Sequence, residues 1–201
     1  MSLGPAQAEL PPPRRPGRQR SLAAQAAVLD ATCRLMEHTC LRGVTTEAIA
    51  QLSGVSKATI YKWWPNKAQV ALDAFLASMD RDVPTPDTGS ALADFTAQLK
   101  SVVGFYTGPG GRAFCQFIAE GQSDPAFLAL FRERFLQSRR QEARGMWRRG
   151  VARGEIRAGL DSEIVLDLIY GPVIFRLLAG HGPLDDREAE AIVATVFSGI
   201  R

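Results

Sequence analysis

The segment from Thr45 to Lys67, TTEAIAQLSGVSKATIYKWWPNK, leaves few options for how it folds. Thr45 can cap a short helix with its hydroxyl, and Ile49, Ala50 and Leu52 give that helix an apolar face. Gly54 stands where the chain must reverse sharply, and glycine adopts the left-handed backbone of such a turn without steric cost. Ser56 is an N-cap for a second helix, on which Ile60 and Trp64 lie four apart and share a face. Lys57, Thr59, Tyr61 and Lys62 are left on the other faces. Two short helices around a glycine turn, the second with an exposed basic and hydroxyl surface, form the helix-turn-helix pattern. Its second helix enters the DNA major groove.

The same residues resemble the DNA-reading segment of the TetR family of transcriptional regulators. That family carries a Thr-x-x-x-Ile-Ala start, a Gly-Val-Ser-Lys turn, a Thr-(Leu/Ile)-Tyr core and an aromatic-Pro-x-Lys exit. This chain has Thr45, Ile49-Ala50, Gly54-Val55-Ser56-Lys57, Thr59-Ile60-Tyr61 and Trp64-Pro65-Asn66-Lys67 in that order. The close likeness covers about residues 19–70 and rests on length and helical pattern beyond. Ser53 replaces the usual alanine, and Cys40–Val44 is a residue or two short.

Each residue of the motif has a role to match. Ser56 and the backbone amides beside it form a helix N-terminus, which favours phosphate. Lys57 and Lys62 can neutralise phosphate or reach guanine edges, and Thr59 suits a base edge or a thymine methyl. By resemblance, Tyr61 points its hydroxyl at backbone phosphate, and Thr45 and Lys67 clamp phosphates on either side. Trp64 is assigned to the core, and Trp63 to packing or DNA.

Charge is distributed to match. Residues 1–67 hold nine Lys or Arg against four acids, a net of +5, whereas the whole chain is only +3. The excess sits on the segment expected to meet phosphates. Cys33, Cys40 and Cys115 form no Cys-x-x-Cys, and with only His38 and His181 no zinc spacing can be assembled. They read as free thiols of a reducing cytosol. No signal-peptide or membrane-spanning apolar run occurs, so a cytoplasmic protein without membrane association is expected. No catalytic constellation, metal site or cofactor motif is present in the sequence.

Apolar periodicity then predicts an all-α chain of about nine helices. Residues 1–17 read as a disordered basic tail whose end, Arg14 to Arg20, is either a minor-groove arm or a solubilising tail. Residues 18–66 read as the helix-turn-helix domain and 67–201 as a helical body. The first helix should start near Ser21, with Leu22, Ala26, Leu29, Cys33 and Met36 as its stripe. Asn66, Asp124 (with Pro125), Asp161 and Asp185 are helix-start signals. The arginines at 139, 140, 144, 148, 149 and 153 read as a solvated helix face rather than a second nucleic-acid surface.

The resemblance implies the rest: a ligand-responsive repressor that binds a palindromic, double-stranded operator as a homodimer and is released by a small inducer. The last two helices would pair with those of a second subunit. The inducer pocket would draw on the aromatics of the body, with Phe105, Phe114, Phe117, Phe131, Trp147 and Tyr170 as candidates. Aromatics at helical spacing also suit plain core. Few charges sit among them, which points to an apolar or aromatic ligand. A constitutive regulator without a ligand and an all-α enzyme with a DNA-binding head remain as alternatives.

Overall fold

A computed structural model describes residues 17–200. The tail expected up to residue 17 lies outside the described residues except at its last position. The first helix, α1 (Gly17–His38), begins ahead of the expected Ser21. After a short 3-10 turn (Leu41–Gly43) come α2 (Thr46–Ser53), α3 (Lys57–Trp63), α4 (Lys67–Asp82), α5 (Ala91–Thr107) and α6 (Pro109–Ser123). Then α7 (Pro125–Phe131) passes through a π-helical turn (Arg132–Leu136) into α8 (Gln137–Ala152) without leaving helical backbone angles. The chain ends in α9 (Ser162–Ala179) and α10 (Asp186–Ile200). With α7 and α8 counted as one rod, the described residues form nine helices and no strand, as the periodicity predicts.

The helix-start signals act as expected. Asn66 accepts from the Gln69 amide at 3.0 Å, Asp124 from Ala126 and Phe127 at 3.0 Å, Asp161 from Glu163 at 2.8 Å and Asp185 from Glu188 at 2.9 Å. Each satisfies an amide that the helix itself leaves without a partner.

Two expected faces differ. On α1 the buried line is Val28, Ala31, Thr32 and Met36, while Leu22 is 60% exposed and Leu29 and Cys33 are half-buried. This helix is so rich in alanine that two offset stripes look equally apolar, and packing selects the one facing α2 and α4. Thr32 is tolerated there because its hydroxyl donates to the Val28 carbonyl at 2.7 Å. On α2, Leu52 lies at the exposed end and only Ile49 is fully buried.

α4 joins the two ends of the molecule. Val70, Ala71, Leu72, Ala74, Phe75 and Met79 are all at most 2% exposed, so the helix is enclosed on several sides. α1 packs on one side of it, and α5 and α6 on the other. α6 also holds the head directly: Arg112 donates to the Glu37 carbonyl at 3.0 Å, and the Gln116 side chain accepts from the Leu41 amide. The body core runs along α5, from Phe95 against Phe197 of α10 to Tyr106 against Phe114 of α6.

The arginine face of α8 is not simply solvated. Arg139 pairs with Asp80 and Glu142, Arg140 with Glu163 and Asp167, and Arg144 with Glu163. Arg149 and Arg153 flank Asp87 and the fully buried Asp94. Opposite charges come from α4, the α4–α5 connection, α5 and α9, which a reading along α8 alone does not reveal.

Gly54 has φ +69° with open space around it, so an alanine there meets no neighbour and pays only for its backbone. Gly54→Ala is expected to cost roughly 1–2 kcal/mol of stability in urea unfolding, with the m-value unchanged.

Candidate functional site

The exposed surface of the head is assembled by caps. Thr45 accepts from the Ala48 amide at 3.1 Å and starts α2, and Gly54, in the left-handed region, ends it. Ser56 accepts from the Thr59 amide at 3.3 Å and starts α3, with its hydroxyl 2.9 Å from that of Thr59. Ile49, Ile60 and Trp64 seat the pair of helices on the core. The Trp64 indole N–H donates to Asp73 on α4 at 2.8 Å, and its ring meets Trp63 edge-on. Trp63 is thus partly buried packing beside the core.

The candidate contact residues share this region but differ in how free they are. Tyr61 is 52% exposed, and Lys62 is exposed with no ion-pair partner among the described residues. Thr59 is half-buried at the first turn of α3. Lys57 is engaged: its ammonium donates to Glu47 of α2 at 2.9 Å. That hydrogen bond draws the Glu47 carboxyl below the usual carboxylate range and raises the lysine. Lys67, at the start of α4, donates to the Arg42 carbonyl at 3.0 Å. The motif gave no sign of Glu47 or Arg42, because both contacts cross between elements.

The second feature lies in the body. A cavity of about 270 Å³ runs between the end of α4, α5, α6, the π-helical turn, α8 and α9. Of the expected ligand residues, Phe114, Phe131 and Tyr170 line it. Phe117 and Trp147 are buried and do not line it; Phe117 packs in the core against Phe75 and Phe127. Phe105 instead borders a wider cleft of about 450 Å³ between α1, α4, α5 and α6, whose wall includes Glu37, Arg81 and Asp82. The cavity is also lined by Tyr106, an aromatic outside the candidate set, and by polar residues that aromatic spacing could not find: Gln98, Arg139 and Arg140. The Tyr170 hydroxyl donates to the Gln98 side-chain oxygen, and burial pushes the Tyr170 and Tyr106 phenols above their ordinary range. The wall is otherwise apolar. Its π-helical turn is of a kind frequent at functional sites.

The described residues contain no group of three or more His, Cys, Asp or Glu placed to hold a metal ion. No helix among them is long and apolar enough to cross a membrane.

The two features correspond to two family models. Residues 28–74 match the bacterial regulatory proteins of the tetR family, and residues 85–196 match the tetracyclin repressor-like C-terminal domain. The chain is 38% identical to the HTH-type transcriptional regulator YdeS of Bacillus subtilis, over 92% of this chain and 93% of that one. It is 29% identical to the DNA-binding transcriptional repressor TetR of Mycobacteroides abscessus, over 70% of this chain and 74% of that one. The crystal structure of the TetR family transcription regulator SCO0332 superposes with a TM-score of 0.80 at 34% identity, covering 89% of this chain and 98% of that one. The chain therefore belongs to the TetR family: it is a DNA-binding, helix-turn-helix transcriptional regulator and not an enzyme.

Glu163, the partner of Arg140 and Arg144, has a pH signature. Hydrogen bonds from Arg144 and then Arg140 lower its pKa from 4.5 to about 2. A carboxylate depressed on folding stabilises the protein above its unfolded pKa, and that contribution disappears as pH falls toward the folded value. Glu163→Gln should flatten the stability profile between about pH 4.5 and about pH 2 in urea unfolding. The effect at neutral pH should be within about 1 kcal/mol, because solvent screens this exposed carboxylate.

Proposed function

We propose that this regulator is a repressor that binds a palindromic operator as a homodimer and is released when a small molecule enters the cavity between α4 and α9. It acts in the cytoplasm, on double-stranded DNA, and needs no cofactor. The observation that carries the ligand response is the wall the cavity shares with α4. Met79 and Val83, at the end of that helix and its C-cap, line the cavity, while Lys67 and Asn66 at its other end adjoin the reading helix. A ligand that repositions Met79 and Val83 acts on the head through one continuous helix. To switch the protein, it must favour the released state by about 1–3 kcal/mol or more.

The dimer has its own support. Ile164, Leu168, Phe175 and Leu178 of α9 are 48–62% exposed and lie on one face at spacings of four, seven and three. Beside them α10 presents the small exposed residues Ala191, Ala194, Thr195 and Ser198. A two-fold pairing of α9 and α10 would bury that stripe and set two reading helices about one DNA turn apart. The residues assigned to DNA are Thr45, Ser56, Lys57, Thr59, Tyr61, Lys62 and Lys67, with residues 67–201 as the ligand-binding and dimerisation domain. The repressor sign is supported by the relative from Mycobacteroides abscessus, which is named a repressor. The constitutive reading without a ligand gives the cavity no role.

Selection of bound duplexes from a random pool, at two salt concentrations, tests this reading. The expected product is a palindrome, bound by a particle of twice the chain mass in light scattering. Lys62→Ala should weaken all variants of that palindrome alike and lower the salt slope by about one, whereas Thr59→Ala should relax one position of each half-site. A single asymmetric site bound by a monomer would contradict the dimeric reader.

A further inference from the structure

The polar atoms of the cavity carry the proposed function one step further, to the chemical class of its ligand. Tyr106 and Gln98 are each only 4% exposed, and both line the cavity. The Gln98 side-chain oxygen accepts from the Tyr170 hydroxyl, so the amide N–H groups are what Gln98 has left to offer a ligand. The Tyr106 hydroxyl has no hydrogen-bond partner among the described residues. A phenol is an O–H donor near neutral pH, and burial raises its pKa further. The Arg139 guanidinium, also on the wall, is close enough to act electrostatically on both Tyr106 and Tyr170. Three kinds of donor therefore line an otherwise apolar space.

We infer that the ligand is an organic acid, with an apolar or aromatic body among Phe114, Phe131 and Phe135 and a carboxylate that accepts from Arg139, Tyr106 and Gln98. This rests on the reading of the cavity as the inducer site. Neutral acceptors would satisfy Tyr106 and Gln98 equally well; the guanidinium selects for charge. Arg139 already pairs with two carboxylates, Asp80 and Glu142 at 2.9 Å, so the ligand must compete. Asp80 is the weaker competitor, because its side chain is 65% exposed and returns to water at little cost. Glu142 can stay paired while the exchange swaps one carboxylate for another. The neighbouring Arg140 also lines the cavity, but its hydrogen bonds go to Glu163 and Asp167 of α9 and none reaches α4.

That exchange would also reach the head. Besides Asp80, Arg139 holds the Val83 carbonyl at 3.4 Å, so its guanidinium bridges α8 to the last turn of α4 and its C-cap. A carboxylate that draws Arg139 toward the cavity loosens this bridge at the point where α4 meets the body.

Calorimetric titration of the full chain with naphthoate, phenylbutyrate and decanoate, each beside its carboxamide and primary alcohol, tests the assignment. At least one acid should bind about tenfold tighter than its neutral analogues. Arg139→Gln should remove that preference while the amide still binds. Asp80→Asn, which deletes the competing carboxylate at an exposed position, should tighten the acid by about threefold and leave the amide unchanged. It answers the same question if Arg139→Gln does not fold, and a purely structural Asp80 would not produce that gain. Neutral analogues that bind as well as the acids, or an Asp80→Asn that weakens acid binding, overturn the acid and leave the inducer reading intact. Silence of the whole series overturns the acid, and the inducer reading is then decided by the operator affinity of a cavity-filled variant.

Discussion

The burial of α4 on opposite sides is the constraint on which the rest depends. A helix that only linked two domains would bury a single stripe. Here Val70, Ala71, Leu72, Ala74, Phe75 and Met79 are enclosed, with α1 against one side and α5 and α6 against the other. Phe75 contacts Phe105, Phe117 and Phe135, so the middle of α4 sits in the aromatic core of the body. Trp64 just before it is tied to Asp73 on the same helix. The interior is close-packed, so a displacement at one end of α4 is passed along rather than absorbed. The Gln116 and Arg112 contacts from α6 to the end of α1 and the 3-10 turn give the head a second attachment to the same core.

The head and the body differ in how much of their chemistry is local. Thr45, Gly54, Ser56 and Asn66 act on backbone groups within four residues of themselves, and such signals can be read from the chain directly. The same holds for Asp124, Asp161 and Asp185. The pairing of Lys57 with Glu47, the hold of Lys67 on the Arg42 carbonyl and the bridge from Arg139 to Asp80 join residues 10 to 59 positions apart. No periodicity encodes those. The α1 stripe was misplaced for another reason: alanine gives a helix little difference between faces, so the partner helices choose.

The cavity illustrates the same limit. Aromatic spacing found three of its walls, Phe114, Phe131 and Tyr170, yet it could not separate them from Phe117, which has the same spacing and lies in solid core. The polar residues that give the cavity its chemistry come from α5 and α8, far apart in sequence. The ion pairs of α8 have a matching dual character. Those at Arg149 and Arg153 surround a buried Asp94 that also accepts from Thr88, which fixes the connection between α4 and α5. Those at Arg139 and Arg140 border the cavity and involve partly exposed acids, so they can exchange partners at lower cost.

The central claim is that the cavity and the DNA-reading head communicate through α4. It is tested most directly by the operator affinity of Ile118→Trp, a substitution on the cavity wall that fills the space without touching the head. If the filled cavity mimics a bound ligand, affinity falls by roughly fivefold or more while the folded protein and its dimer persist. An operator affinity equal to that of the unmodified protein, with the cavity demonstrably filled, would contradict the account.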